Sequence, residues 1–326
     1  MSERISLSSV CEELKTRDDF IILTHVSPDG DTLGSAYALA LGLIAIGKRA
    51  YVVCSDEVPA KYDYFVKTAA LRPTEYKTIV AVDVADAKLL GDLYEPCQDR
   101  VDICIDHHIS NTCYAKSLYL DTTASATAEC IYEILINLGV EITPLIAECL
   151  YTGIATDTGC FKYSNVTVKT HLIAAELIKT GINAAEINRL MFDTKSKARV
   201  ELEKMVLDNA EFHYSDRCLV LTVTEEMQKK SGCEPSDLEG VAVISRSVEG
   251  VLAGVSIKQT EGDTYKISLR TYPPLDASEI CKSLGGGGHK SAAGCTLTGP
   301  LSCVKAAVLG AVRSALEESD AGASDN

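Results

Sequence analysis

Thr24-His25-Val26-Ser27-Pro28-Asp29-Gly30-Asp31-Thr32-Leu33-Gly34-Ser35 packs three potential cation ligands into seven residues. It follows the apolar run Phe20-Ile21-Ile22-Leu23 and opens onto small residues mixed with Leu and Ile, Ala36 to Ile46. That order reads as strand, tight turn, helix, with His25, Asp29 and Asp31 all on the turn. Pro28 and Gly30 fix the backbone between them so that the three side chains can converge. An acidic turn also suits a helix N-cap. On these residues alone the capping reading and the cation-binding reading weigh about equally.

The neighbouring runs tip the balance. Residues 1–19 read as a short helix, and Tyr51-Val52-Val53-Cys54 as a second strand. Thr78-Ile79-Val80-Ala81-Val82-Asp83 is a continuous apolar run ending in a carboxylate; Val101-Asp102-Ile103-Cys104-Ile105-Asp106 repeats that form and is followed by His107-His108. Short apolar strands alternating with helices predict a parallel sheet buried on both faces. Ligand sites in such sheets lie beyond the carboxyl ends of the strands. His25, Asp83 and Asp106-His107-His108 each fall at such an end. Helical patterns follow over Thr123–Asn137, Pro144 to Ala155, Val168–Lys179 and Ala184–Met191, and Asp157 stands on a glycine-flanked turn after the second of these.

The polar segment 193–210 reads as a partly helical linker, which gives a domain over 1–192 and a second over 211–326. The second is β-rich, with strands expected at Cys218–Val223, Val241–Ser245, Leu252–Ile257 and Tyr265–Arg270. Helices are expected at Glu225–Ser231, Ala277–Leu284 and Leu301–Leu316. The acidic end, 317–326, reads as a disordered tail. The fold class is therefore α/β, a parallel-sheet domain plus a smaller α+β domain, with a substrate cleft expected between them.

With 326 residues, 46% hydrophobic and 24% charged, the composition is that of an ordinary globular chain. Thirty-one Lys and Arg against 46 Asp and Glu leave a formal net charge of −15. Such a surface does not steer duplex nucleic acid. It tolerates short phosphorylated substrates, because bound divalent cations supply the local positive charge. The thirteen cysteines are scattered and never spaced C-x-x-C, so they read as free thiols of a reducing cytoplasm rather than disulfides or a zinc ribbon. The segment Met1–Ser6 has no secretory pattern and no apolar run reaches membrane-spanning length, so a cytoplasmic chain without a membrane segment is expected.

His25, Asp29, Asp31, Asp83, Asp106, His107, His108 and Asp157 form one candidate constellation. Carboxylates with a few imidazoles and no thiolate spacing suit Mn²⁺ or Mg²⁺, and less well Co²⁺ or Zn²⁺. Two such cations about 4 Å apart can drive in-line displacement at phosphorus. The set resembles the DHH phosphoesterase family: H-x-x-P-D-G-D at 25–31, D-x-x-D at 83–86, D-H-H-x-x-N at 106–111 and T-D-T-G at 156–159, in the family's order. Ala124-Ser125-Ala126-Thr127-Ala128-Glu129 is similar to the family's segment after the DHH strand. The resemblance implies that His25, Asp29 and Asp83 hold one metal and Asp31, Asp83, His107 and Asp157 the other, with Asp83 bridging. It implies Asp106 orienting His107 and His108 contacting the scissile phosphate or leaving group. Asp86 is expected to hydrogen-bond locally.

A second constellation is Gly285-Gly286-Gly287-Gly288-His289-Lys290-Ser291-Ala292-Ala293-Gly294. A Walker A loop is excluded, since His289 precedes the Lys where Gly is required and a helix, not a strand, comes before. Composition alone also allows a flexible linker. Four glycines within a folded domain allow backbone N–H groups to approach a phosphate closely. The segment resembles the glycine-rich motif of the DHH-associated C-terminal domain. That implies substrate binding by Gly286, Gly287, Gly288 and His289, with Arg270 as a terminal-phosphate clamp and Arg246 as a weaker candidate.

Within the family the chain looks like the bacterial nanoRNase/pAp phosphatase subgroup. The resemblance implies Mn²⁺-dependent hydrolysis of short oligoribonucleotides to mononucleotides and of 3′-phosphoadenosine 5′-phosphate (pAp) to AMP. Partners would be small nucleotides and short single-stranded RNA, not duplex or membrane, and a homodimer is compatible with it. Cleavage of cyclic di-AMP or pApA is the alternative within the family. A nucleotide-binding regulator with a dead site is the alternative of another class, and the six intact ligands weigh against it.

Overall fold

The computed structural model describes residues 2–66, 76–238, 240–245 and 247–324. Arg246 lies outside them. The chain divides into two compact units, up to Thr194 and from Lys195.

The first unit is built on β1 (Glu3–Arg4), β2 (Phe20–Leu23), β3 (Ala50–Val53), β4 (Thr78–Val82), β5 (Ile103–Asp106) and β6 (Ser117–Leu120). They form one sheet in the order β1-β6-β5-β4-β2-β3, every pairing parallel. β3 and β4 flank β2 on opposite sides, so the direction of winding reverses beside β2, where crevices form in such sheets. Register then places the chemistry. Leu23 pairs with Ala81, so His25 and Asp83, each two residues further on, leave the sheet at one level. Val82 pairs with Ile105, which brings Asp106 to that level as well.

The helices Gly30–Ala45, Thr127–Asn137 and Pro144–Asp157 cover one face, with Leu33, Leu39, Leu43, Ile131, Ile134, Leu150 and Ile154 fully buried among them. The contact of the first with the third is close to backbone on backbone. A Cβ on Gly34 would lie 2.3 Å from the Cys149 carbonyl oxygen, so only glycine permits this approach. That approach carries Asp157, the last residue of its helix, towards Asp31 in the first turn of the other.

The second unit holds β7 (Glu211–His213), β8 (Cys218–Val223), β9 (Ala253–Glu261), β10 (Thr264–Thr271), β11 (Gly287–His289) and β12 (Ala292–Thr298), ordered β11-β12-β10-β9-β8-β7. β8 and β9 are parallel and the other pairs antiparallel. Alternation along β8 splits its side chains between two cores. Cys218 and Val220 pack towards the helix Leu301–Ser324 through Val304, Val308, Val312 and Leu316. Leu219, Leu221 and Val223 pack towards Leu202 and Val206.

Three expectations need correction here. The segment read as a partly helical linker holds the helix Lys197–Asp208, as expected, but that helix is a covering element of the second unit and not a connector; its two core residues, Leu202 and Val206, are masked in sequence by charged neighbours. Val241–Ser245 is not a strand, since Val241–Ile244 is helical and short apolar runs do not reveal their period. The acidic end is helical as far as Ser324, extending the spacing of Val304, Val308 and Val312, with Arg217 paired to Asp320 at 2.8 Å.

Gly34→Ala should destabilise the first unit by about 1–3 kcal/mol through overpacking. Urea denaturation measures this, and an unchanged midpoint would contradict the helix contact described.

Candidate metal centre

Three neighbouring strands deliver donors to this edge of the sheet. β2 leads to His25, β4 to Asp83, and β5 ends in Asp106 before His107 and His108. Asp29 is the N-cap of the helix Gly30–Ala45, its Oδ1 accepting from the N–H groups of Asp31 (3.0 Å) and Thr32 (3.1 Å). The capping reading of the turn is thus correct for Asp29, and the same oxygen also lies 3.7 Å from His25 Nε2.

Asp83 is the centre of the arrangement. Its backbone is left-handed (φ 62°), uncommon for a residue other than glycine. It is buried, and its two oxygens face different groups. Oδ2 lies 3.7 Å from His25 Nε2; Oδ1 lies 3.8 Å from His107 Nε2 and 3.6 Å from His108 Nδ1. His107 Nε2 is in turn 3.4 Å from Asp157 Oδ2. Donor atoms of His25, Asp29 and Asp83 fall within 4.8 Å of one another, as do those of Asp31, His107 and Asp157. These separations are mostly too long for hydrogen bonds. They match the roughly 3–4 Å between ligand atoms that share an ion at about 2.1 Å.

The imidazoles fit a cation. His25 Nδ1 is 2.8 Å from the Val26 carbonyl oxygen and His107 Nδ1 is 3.1 Å from that of Ala124. A carbonyl only accepts, so each Nδ1 carries a hydrogen, and Nε2 is the nitrogen on which a cation would replace a proton. His107 Nε2 is buried with no hydrogen-bond partner.

Asp31 is 1% exposed and fully engaged by donors. Its Oδ2 accepts from the Thr127 N–H at 2.6 Å, and its Oδ1 from the Ala128 N–H at 2.9 Å and the Ser35 hydroxyl at 3.1 Å. Burial, then the charges of Asp83, Asp157 and Asp29, push its pKa well up. Burial and the carboxylates of Asp83 and Asp29 likewise push Asp157 up to about 7, against a lowering pull from His107. Burial alone would lower His25, but Asp29 and Asp83 raise it to about 11.

Asp106 plays a different part from the one expected. Its Oδ1 accepts from the backbone N–H of His107 (2.8 Å) and His108 (3.2 Å) and from the His108 ring Nδ1 (2.8 Å). The ring it orients is therefore that of His108, while the Ala124 carbonyl orients His107. Burial opposes a proton on His108, yet the bond to Asp106 and the field of Asp83 raise its pKa to about 9. Asn111 completes the shell, donating to Asp106 Oδ2 at 2.6 Å. Asp86 bonds locally to the Lys88 N–H. Sequence reasoning assigned no role to Thr127, whose hydroxyl donates to Asp83 Oδ1 at 2.7 Å; its place opening the helix after β6 was the available signal.

In the second unit, Arg270 on β10 and His289 on β11 both stand opposite Ala292 of β12, so their side chains share one face of the sheet. The glycines divide in role. The Gly286 N–H donates to the Cys281 carbonyl, so it is not available to a phosphate as expected. A Cβ on Gly286 would meet the Gly294 carbonyl oxygen at 2.2 Å, and one on Gly288 the Ala293 Cα at 2.6 Å; Gly287 faces open space.

Asp157, His108 and His25 all have folded pKa values above their ordinary ones, so the folded state binds the extra protons. Their stabilisation is full at low pH and fades as pH rises, for Asp157 from about 4 to 7 and for His108 from about 6.5 to 9. The cation-free protein should therefore lose Tm between pH 6 and 9, and Mn²⁺ should raise Tm more at pH 8.5 than at pH 6. Differential scanning fluorimetry with and without chelator checks both; a flat cation-free profile would contradict the cluster's electrostatics.

A family model described as the DHH family, N-terminal domain, matches residues 19–154, and one described as the DHHA1 domain matches residues 215–318. The bifunctional oligoribonuclease and PAP phosphatase NrnA of Thermus thermophilus is 37% identical over 298 residues, 89% of this chain and 88% of that protein. The protein of the same name from Bacillus subtilis is 26% identical, over 86% of this chain and 90% of its own. An exopolyphosphatase-related protein from Bacteroides fragilis superposes with a TM-score of 0.85 and 25% identity, over 96% of this chain and 95% of that one. RecJ from Thermus thermophilus, in complex with Mn²⁺, shares the fold with a TM-score of 0.53 and 19% identity, over 94% of this chain and 54% of its own. With both domain models matched in order and a relative this similar along nearly its whole length, the chain belongs to the DHH family of metal-dependent phosphoesterases, a DHH domain followed by a DHHA1 domain.

Proposed function

We propose that this phosphoesterase hydrolyses short oligoribonucleotides to mononucleotides and pAp to AMP, using two divalent cations. The observation that carries the two-cation reading is the division of Asp83, with Oδ2 towards His25 and Oδ1 towards His107. His25, Asp29 and Asp83 would hold one cation, and Asp31, Asp83, His107 and Asp157 the other. Mn²⁺ suits this set of carboxylates and imidazoles best, with Mg²⁺ or Co²⁺ as substitutes. Such cations supply a Lewis acid for phosphoryl oxygens and acidify an attacking water. The activities named for the Thermus and Bacillus relatives support the substrate class.

The protein's own groups would act as follows. His108, held through Nδ1 by Asp106 and one-third exposed, keeps a proton at neutral pH and presents Nε2 to the scissile phosphate or the leaving oxygen. Arg270 would hold a terminal phosphate through its guanidinium, with His289 on the same sheet face and Gly287 leaving room for backbone approach. The net charge of −15 favours short substrates over duplex. No helix among the described residues is long and apolar enough to cross a membrane, and all thirteen cysteines are free, which supports a cytoplasmic setting.

Hydrolysis of pAp, pApA, an oligoribonucleotide ladder and cyclic di-AMP in Mn²⁺, with a chelator control, tests the proposal. Fast cleavage of pAp and of chains of two to about five nucleotides is expected. Absence of cation-dependent cleavage across the panel would overturn it, and preference for cyclic di-AMP would move the role to second-messenger turnover. Asp83→Ala should abolish turnover and weaken Mn²⁺ binding; near-normal activity would refute the site. Arg270→Ala should raise KM roughly 10-fold or more for substrates with a terminal phosphate, as loss of a charged hydrogen bond does. Equal losses on substrates lacking that phosphate would contradict the clamp.

A further inference from the structure

We propose that Thr127 is the positioning residue that keeps Asp83 bridging, and that it thereby sets the affinity of the cation on the His107 side. The proposal rests on the two-cation reading above.

Thr127 is fully buried and bonds to two candidate ligands at once. Its hydroxyl donates to Asp83 Oδ1 at 2.7 Å and its N–H to Asp31 Oδ2 at 2.6 Å. Among the described residues this hydroxyl makes the one hydrogen bond of ordinary length to the Asp83 carboxylate. The left-handed backbone of Asp83 takes its side chain off the alternation of β4, so the strand does not set the carboxylate's rotation. Thr127 does. By occupying one lone pair of Oδ1, the hydroxyl leaves the other for the His107 side, while Oδ2 stays with His25. A carboxylate freed of this bond can turn both oxygens onto a single ion, the one beside His25 and Asp29. The side that loses is the one Oδ1 serves, where Asp31 cannot compensate because it gives its oxygens to two N–H groups and Ser35.

The helix Thr127–Asn137 explains why the residue is so well fixed. Its N-cap is Ala126, which has no side-chain acceptor, and the cap comes instead from Asp31 on another helix. Thr127 therefore cannot shift without breaking that cap.

Mn²⁺ titration of the purified protein by calorimetry, read alongside electron paramagnetic resonance, tests this. The wild type should take up two ions, the second giving the spin-coupled signal of a pair. Thr127→Val should keep the first ion within about threefold and weaken the second by roughly 10–100-fold, the range for loss of a residue that orients a ligand. The isolated-ion signal should then persist to higher Mn²⁺. Thr127→Ser should restore the pair, and Thr127→Ala, which also lacks the hydroxyl, should behave as Val does; wild-type affinities in Thr127→Ala would mean that the methyl of Val crowds the site and would overturn the proposal. Two ions in the wild type with unchanged affinities in Thr127→Val, or both affinities falling together, would overturn this proposal alone. Fewer than two ions in the wild type would overturn the two-cation reading and this proposal with it.

Discussion

Asp29, Asp31, Asp83 and Asp157 crowd their carboxylates into one partly dehydrated volume, and the repulsion among them is the constraint that the rest of the first unit answers to. Burial and mutual charge push Asp31 and Asp157 towards protonation in the absence of a cation. Each compensating device is a piece of secondary structure. The N-terminus of Gly30–Ala45 receives Asp29, and that of Thr127–Asn137 receives Asp31, so two helix dipoles act against the negative charge. Asp106 shows the contrast. It is more deeply buried than Asp29 or Asp157, yet three N–H donors, the His108 ring among them, and Asn111 hold its carboxyl below the ordinary range. It serves as support, and the four crowded carboxylates are the proposed cation ligands.

How much of this was legible in the sequence depended on whether a signal was local. Buried parallel strands show as unbroken apolar runs, and Asp83 and Asp106 stand where those runs stop, so the sheet edge could be read directly. The histidines and carboxylates of the cluster followed from it. What was hidden depends on partners distant in sequence. Asp106 is followed by two histidines, and which ring it holds is decided by the Ala124 carbonyl capturing the other. Lys197–Asp208 reads as a charged connector until β8 supplies a second apolar face for Leu202 and Val206. Thr127 looks like an ordinary helix-starting residue because its two partners come from β4 and from another helix.

The glycine-rich segment carries a related lesson about composition. Its glycines suggested backbone offered to phosphate, and two of the four are instead demanded by contact with β12. Gly286 closes the preceding helix through its N–H, and Gly288 lies against Ala293. The same contact brings β11 alongside β12 and so aligns His289 with Arg270 across Ala292. The packing of Gly288 and the shared face of His289 and Arg270 are thus products of one strand pairing.

Asp31 capping a helix to which it does not belong has a consequence for how such a protein can change over time. A substitution there removes a proposed cation ligand and uncaps Thr127–Asn137 in the same stroke. A lineage that abandoned hydrolysis would still be held to this aspartate by the need to fold. His108, partly exposed and with its ring hydrogen-bonded, among the described residues, to Asp106 alone, is under no such obligation. Among homologues, retention of the histidine would therefore report a working enzyme more faithfully than retention of the aspartate.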